Sequence, residues 1–204
     1  KFELKGKEAH KELQIICSNN ISNNEGKTTY TQMLNKYGGI EADLSVTCLK
    51  ENSFLITTGS AVRYHDKHWI KKNINLNSNV ELNDVTEKFA VIGIMGPNSR
   101  SLLSSLCSEN FETQNFPFGT GQNIIIKNKK IWAQRLSYVG ELGWELFIPI
   151  ENALEIYNFI TDKGKKFKLT HAGTHTMDIL RMEKGYLHWG HDISPEENPY
   201  QVGL

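Results

Sequence analysis

Apolar positions along the chain follow two rhythms, and the order in which they succeed one another occurs twice. Phe2 and Leu4 alternate with charged neighbours until Gly6, the period-two pattern of a half-buried strand. Ala9, Leu13, Ile16 and Cys17 then fall at helical spacing, and the polar stretch 18–27 reads as a loop. Residues 30–34 and 40–49 are strand-like and flank Asn35-Lys36-Tyr37-Gly38-Gly39, a hairpin connection whose glycines are free to take positive φ. Residues 53–57 form another strand, and Val62, Tyr64, His65, Trp69 and Ile70 fit a second amphipathic helix.

The second half repeats the plan: strand 89–95 ending at Gly96, helix 99–106 with Leu102, Leu103 and Leu106 on one side, strands 124–126, 131–136 and 143–148, and helix 153–160. Matched order and spacing, more than identity of residues, predict an α+β fold with an internal duplication. It would consist of two similar strand-helix-hairpin-strand-helix units, residues 1–88 and 89–204, packed face to face. Clefts form at domain interfaces, so the expected ligand site lies between the repeats and takes side chains from equivalent arms of both.

Composition narrows the choice of ligand. The 23 basic and 23 acidic residues cancel and the pI is near 7.2, so no global field collects nucleic acid or an anionic membrane. A small molecule is the expected partner. Cys17, Cys48 and Cys107 are widely spaced and form no Cys-x-x-Cys pair, which points to a reducing compartment: cytoplasmic, or the mitochondrial matrix if eukaryotic. No apolar run approaches the roughly 20 residues of a membrane span. The chain opens on Lys1-Phe2-Glu3-Leu4 without an initiator Met and stops at Val202-Gly203-Leu204, and so reads as part of a longer polypeptide.

Two carboxylates occupy positions that ask for an explanation. Asp43 stands between Ala42 and Leu44 inside a strand, where aspartate is disfavoured; it either faces solvent on a polar outer face with Glu41 or is used. Glu145 stands between Trp144 and Leu146 in an apolar run, and an unpaired carboxylate there would be costly. A structural salt bridge would satisfy it. So would a planar heterocycle presenting two adjacent N–H donors in a fork.

Four ordered motifs give a resemblance. Tyr-Thr-Gln-Met-Leu-Asn with Gly-Gly-Ile-Glu-Ala-Asp-Leu (30–44), Met-Gly-Pro-Asn-Ser-Arg (95–100), Tyr-Val-Gly-Glu-Leu-Gly-Trp-Glu (138–145) and Leu-Arg-Met-Glu-Lys-Gly-Tyr (180–186) resemble the aminomethyltransferase family. That family includes the T-protein of the glycine cleavage system and the folate domains of dimethylglycine and sarcosine dehydrogenases. The run Glu183-Lys184-Gly185-Tyr186-Leu187-His188-Trp189-Gly190 is similar to the dehydrogenase branch, whereas Thr176-Met177-Asp178 stands where T-proteins usually carry Ala-Arg-Asp.

The resemblance implies a folate-binding domain acting on tetrahydrofolate and a small-molecule amine. Asp43 would be the catalytic carboxylate near folate N10, Glu145 would hold the pterin ring, and Tyr138 and Tyr30 would line the same pocket. It further implies an in-cis flavin domain before this region, the only expected place for FAD, and a β-barrel domain after Leu204. No Gly-x-Gly-x-x-Gly fingerprint occurs in the chain itself.

Other features have plainer readings. His171-x-x-x-His175 and His188-x-x-His191 lack the companions of a metal set, so no metal is expected. The four lysines within 163–168 read as a solvated loop, and Met177, Leu180 and Met182 as core.

Overall fold

The computed structural model describes residues 1–75 and 79–204, which divide into two compact units. One comprises Lys1–Thr86 together with Leu187–Leu204, the other Glu87–Tyr186.

In the first unit the order is β1 (Phe2–Lys5), α1 (Ala9–Ile16), β2 (Thr28–Leu34), β3 (Ile40–Lys50), β4 (Ser53–Thr58), a 3-10 turn (Ser60–Val62), α2 (Arg63–Asn73) and β5 (Glu81–Asp84). The strands form an antiparallel sheet of order β2-β3-β4-β1-β5. Alternation sends Phe2, Leu4, Met33, Ala42, Leu44, Val46, Phe54 and Ile56 to one face, where they pack with Ala9 and Leu13 of α1 and Ile70 of α2. Asp43 therefore projects from the other face.

The second unit contains β6 (Phe89–Met95), α3 (Ser99–Leu106), β7 (Gly121–Ile126), β8 (Lys129–Gln134), β9 (Gly143–Pro149), a 3-10 turn (Ile150–Asn152), α4 (Ala153–Gly164) and α5 (Thr174–Glu183). Its sheet has the order β6-β9-β8-β7. Ile94, Ile124, Ile131, Ala133, Trp144, Leu146 and Ile148 pack against Leu102, Leu103 and Leu106 of α3 and Ile156 and Ile160 of α4. Read from its hairpin end, this sheet runs β7-β8-β9-β6, the counterpart of β2-β3-β4-β1 in the first unit.

The turn from first strand to first helix is also built alike. Gly6 (φ +131°) and Gly96 (φ +110°) have backbone angles that L side chains rarely adopt. Their carbonyls accept the amides of Ala9 and Ser99, at 2.9 and 3.1 Å.

Several expectations need correction. Met177 and Met182 are exposed, at 38% and 53%, and Leu180 is only half-buried, so the three do not form core. Buried Arg181 anchors α5 instead, donating from Nε to Asp178 Oδ1 at 2.8 Å and from Nη1 to the Tyr186 carbonyl at 2.9 Å. On α2, Tyr64 is 77% exposed rather than on the inward face, which carries Ile70 and the fully buried carboxylate of Asp66. β5 escaped the pattern because Leu82 is its single apolar residue; β1 recruits it through the Leu4–Leu82 register.

Candidate functional site

β2 and β3 pair antiparallel around the Asn35–Gly39 turn, and the register sets Gln32 opposite Asp43 and Tyr30 opposite Ser45. Paired residues share a face, so Tyr30, Gln32, Asp43 and Ser45 lie together on the face away from α1 and α2. Gln32 is buried and donates from Nε2 to Asp43 Oδ1 at 2.9 Å. The Tyr30 hydroxyl donates to the same carboxyl group, although its ring is 48% exposed. Burial pushes the Asp43 pKa above the ordinary carboxylate value. The hydrogen bonds from Tyr30 and Gln32 pull it down; the charge of Asp66 raises it and that of His188 lowers it. Thr57, opposite Ser45 on β4, buries its hydroxyl oxygen with no partner among the described residues.

The second unit orients its carboxylate through packing. Trp144 is fully buried, edge-on to Phe111 and Phe116 with ring centroids 5.4 and 6.0 Å away. With Trp144 and Leu146 fixed inward, alternation sends Glu145 to the opposite face. There Glu145 sits across from Gln134 of β8 and Gly93 of β6, so one flank carries a polar side chain and the other none. Burial raises its pKa, and nothing counters that effect: Glu145 has no hydrogen-bond or ion-pair partner among the described residues. The structural salt bridge that would have explained this residue is not found there. Tyr138 is half-buried in the β8–β9 connection. That connection turns at Gly140 (φ +68°) and is tied to the end of α5 by a Lys184–Glu141 ion pair of 3.1 Å.

Asp43 and Tyr30 thus form one cluster in the first unit, and Tyr138 and Glu145 belong to the second. The two carboxylates do not occupy equivalent strands. Asp43 is on the second strand of its sheet counted from the hairpin end, whereas Glu145 is on the third. Sequence reasoning missed Gln32 and Gln134, the cross-strand partners of the two acids, and also Asp66. No local pattern singles out the glutamines; the strand register does, by setting Gln32 opposite Asp43 and Gln134 opposite Glu145. Among the described residues no group of His, Cys, Asp and Glu is arranged to hold a metal ion, and no helix is long and apolar enough to cross a membrane.

The sequence matches the family described as GCVT N-terminal domain over residues 1–204. Human mitochondrial dimethylglycine dehydrogenase is 33% identical over 205 residues, and human mitochondrial sarcosine dehydrogenase 34% identical over 218. Each alignment covers the whole of this chain but 24% of the relative, so the chain spans about a quarter of those proteins. The crystal structure of glycine cleavage system aminomethyltransferase T from Bartonella henselae superposes with a TM-score of 0.83 and 21% identity. That superposition covers 97% of this chain and 52% of the other, and at this identity it speaks for the fold.

Proposed function

The chain belongs to the GCVT N-terminal domain family, and from that premise we propose that it is the folate-binding part of a dimethylglycine or sarcosine dehydrogenase-like enzyme. The reaction assigned to it is capture of a one-carbon unit by tetrahydrofolate to give 5,10-methylenetetrahydrofolate. The carbon arrives from a methylated glycine-type amine as an iminium, whose demethylated amine leaves, or as formaldehyde, whose oxygen leaves as water; in either case the leaving group carries off the two hydrogens of N5 and N10. Oxidation of that amine is assigned to a flavin domain outside these residues.

The observation that carries this reading is the carboxylate of Glu145, half-buried in an otherwise apolar strand and without a partner among the described residues. A carboxylate so placed costs free energy unless donors reach both oxygens. A pterin edge presents two adjacent N–H groups and suits that fork, so the residues present fit the ligand. Tetrahydrofolate, when bound, supplies the N5 and N10 nitrogens that accept the carbon. Asp43 stabilises positive charge at the reacting centre and takes up a proton there; its raised pKa brings it nearer the operating pH, where a base is most effective. Tyr30 and Gln32 hold it in place, and Tyr138 lines the folate site.

The test uses the full-length protein. Asp43→Asn is expected to lose methylenetetrahydrofolate formation while binding tetrahydrofolate nearly as well as wild type. Glu145→Ala is expected to weaken folate binding about ten- to a hundredfold, the effect of removing a charged bidentate acceptor worth roughly 1.5–3 kcal/mol. Normal turnover by Asp43→Asn removes the catalytic assignment, and unchanged affinity in Glu145→Ala removes the pterin assignment. A wild-type protein that binds folate but forms no product is a binding module instead.

The shared strand order and the paired strand-to-helix glycines support a further part of the reading, that the two units arose by internal duplication.

A further inference from the structure

Asp66 is a fully buried carboxylate that the proposed reaction does not use. It sits in the first turn of α2, where Thr58 donates its hydroxyl to Oδ2 and His65 Nδ1 lies 2.9 Å from Oδ1. Burial raises the Asp66 pKa, and the hydrogen bonds with His65 and Thr58 pull it back down. The far side of the same ring faces another acid, with Nε2 3.6 Å from Glu41 Oε2. The imidazole also lies tilted against Trp189, centroids 5.2 Å apart at 33°.

These contacts converge on the first residues of β3. Trp189 Nε1 donates to the Ile40 carbonyl at 2.7 Å, and the Ile40 amide donates to the Glu197 carbonyl at 2.9 Å. Glu41 Oε1 accepts from Asn35 Nδ2 at 3.1 Å. Residues 40 and 41 are thereby held through backbone and side chain together. Asp43 follows two residues further along β3, directly after the irregularity that the β2–β3 register shows at Glu41. A buried carboxylate deprived of its partners is strongly destabilised, and Thr58 and His65 are the side chains that meet Asp66.

We propose that Asp66 and His65 are positioning residues for Asp43: with Trp189 they clamp the start of β3 and fix the direction of the Asp43 carboxylate. The proposal rests on the catalytic reading of Asp43 given above. A clamp of this kind acts on geometry, and a misplacement of about 1 Å costs up to roughly a hundredfold in rate.

Charge provides a second readout, separable from loosened packing. The groups around Asp43 are Tyr30 and Gln32 from β2, Asp66 from α2 and His188 from the C-terminal segment. Around Asp66 stand Thr58, His65 and the α-amino group of Lys1. Asp66 raises the Asp43 pKa by like-charge repulsion, so removing its charge lowers that pKa. The acid limb of kcat/KM then moves to lower pH, since the Asp43 base stays ionised further into acid.

In the full-length enzyme, Asp66→Asn, His65→Gln and Trp189→Phe are compared with wild type for folate affinity, kcat, KM for the amine and the pH profile. Expected are folate affinity within about twofold, kcat down about ten- to a hundredfold with KM little changed, and an acid limb displaced downward in Asp66→Asn. Wild-type kcat and an unmoved acid limb in Asp66→Asn overturn the proposal. If that variant does not fold, Trp189→Phe decides: it keeps an aromatic ring but cannot donate to Ile40, and wild-type kcat there equally overturns it. Asp43→Asn is the control. Its normal turnover sinks the catalytic reading itself, whereas an inactive Asp43→Asn beside fully active Asp66→Asn and Trp189→Phe sinks only the clamp.

Discussion

A carboxylate in a β-strand between tryptophan and leucine is a liability to the empty protein. Glu145 binds its proton more tightly in the folded chain than in the unfolded one, because burial disfavours its charged form. Between its ordinary and raised pKa the folded state holds the extra proton, so stability falls as pH rises through the folded value. Glu145→Gln should therefore raise Tm at neutral pH in the absence of folate, by about 2–4 °C for each kcal/mol relieved. The gain should vanish below the ordinary glutamate pKa, where both proteins are neutral at this site. Scanning calorimetry at neutral and acid pH measures it, and equal Tm values throughout would show that the side chain is well solvated. Asp43 and Glu145 were legible in the sequence because a charged residue among apolar strand neighbours is conspicuous in one dimension. Asp66 was not, since His65 and Lys67 beside it make it look like one more charge on a solvated helix.

The β2–β3 hairpin was also legible: the loop read at 35–39 is the loop observed between Leu34 and Ile40. Its second glycine does more than turn the chain. A Cβ on Gly39 would run into the Pro195 carbonyl and the Asn35 amide, so its bareness is what lets the C-terminal segment lie against the hairpin. A Cβ on Gly38 would meet nothing, and the penalty there is conformational, from φ +85°. Gly39→Ala should accordingly lose about 1–3 kcal/mol by overpacking, read as a lower urea midpoint. Gly38→Ala should cost roughly 1 kcal/mol through backbone strain alone. Only Gly39→Ala should also expose residues 194–197 to hydrogen exchange. Equal exchange in both variants would show that the close approach does not matter. Periodicity found nearly every strand and helix and failed at β5 and α5, held by a neighbouring strand's register and by a buried arginine rather than by an apolar stripe.

At the scale of the molecule the first unit is discontinuous: its sheet is built from the beginning of the chain, and its hairpin is latched by the end. No local pattern announces such a return, because Trp189 and Glu197 meet Ile40 through contacts some 150 residues away in sequence. A chain ending at Tyr186 should keep Glu87–Tyr186 resistant to limited proteolysis while cleavage appears around β2 and β3. Unchanged protection there would mean that the terminal residues are ornamental. The arrangement has a consequence for biogenesis. Roughly 100 residues separate the two parts of that unit, and at about 5–20 residues per second the ribosome needs roughly 5–20 s to cross them. Of the two units, the one begun first is thus completed last, and the nascent polypeptide carries an unlatched hairpin through that interval.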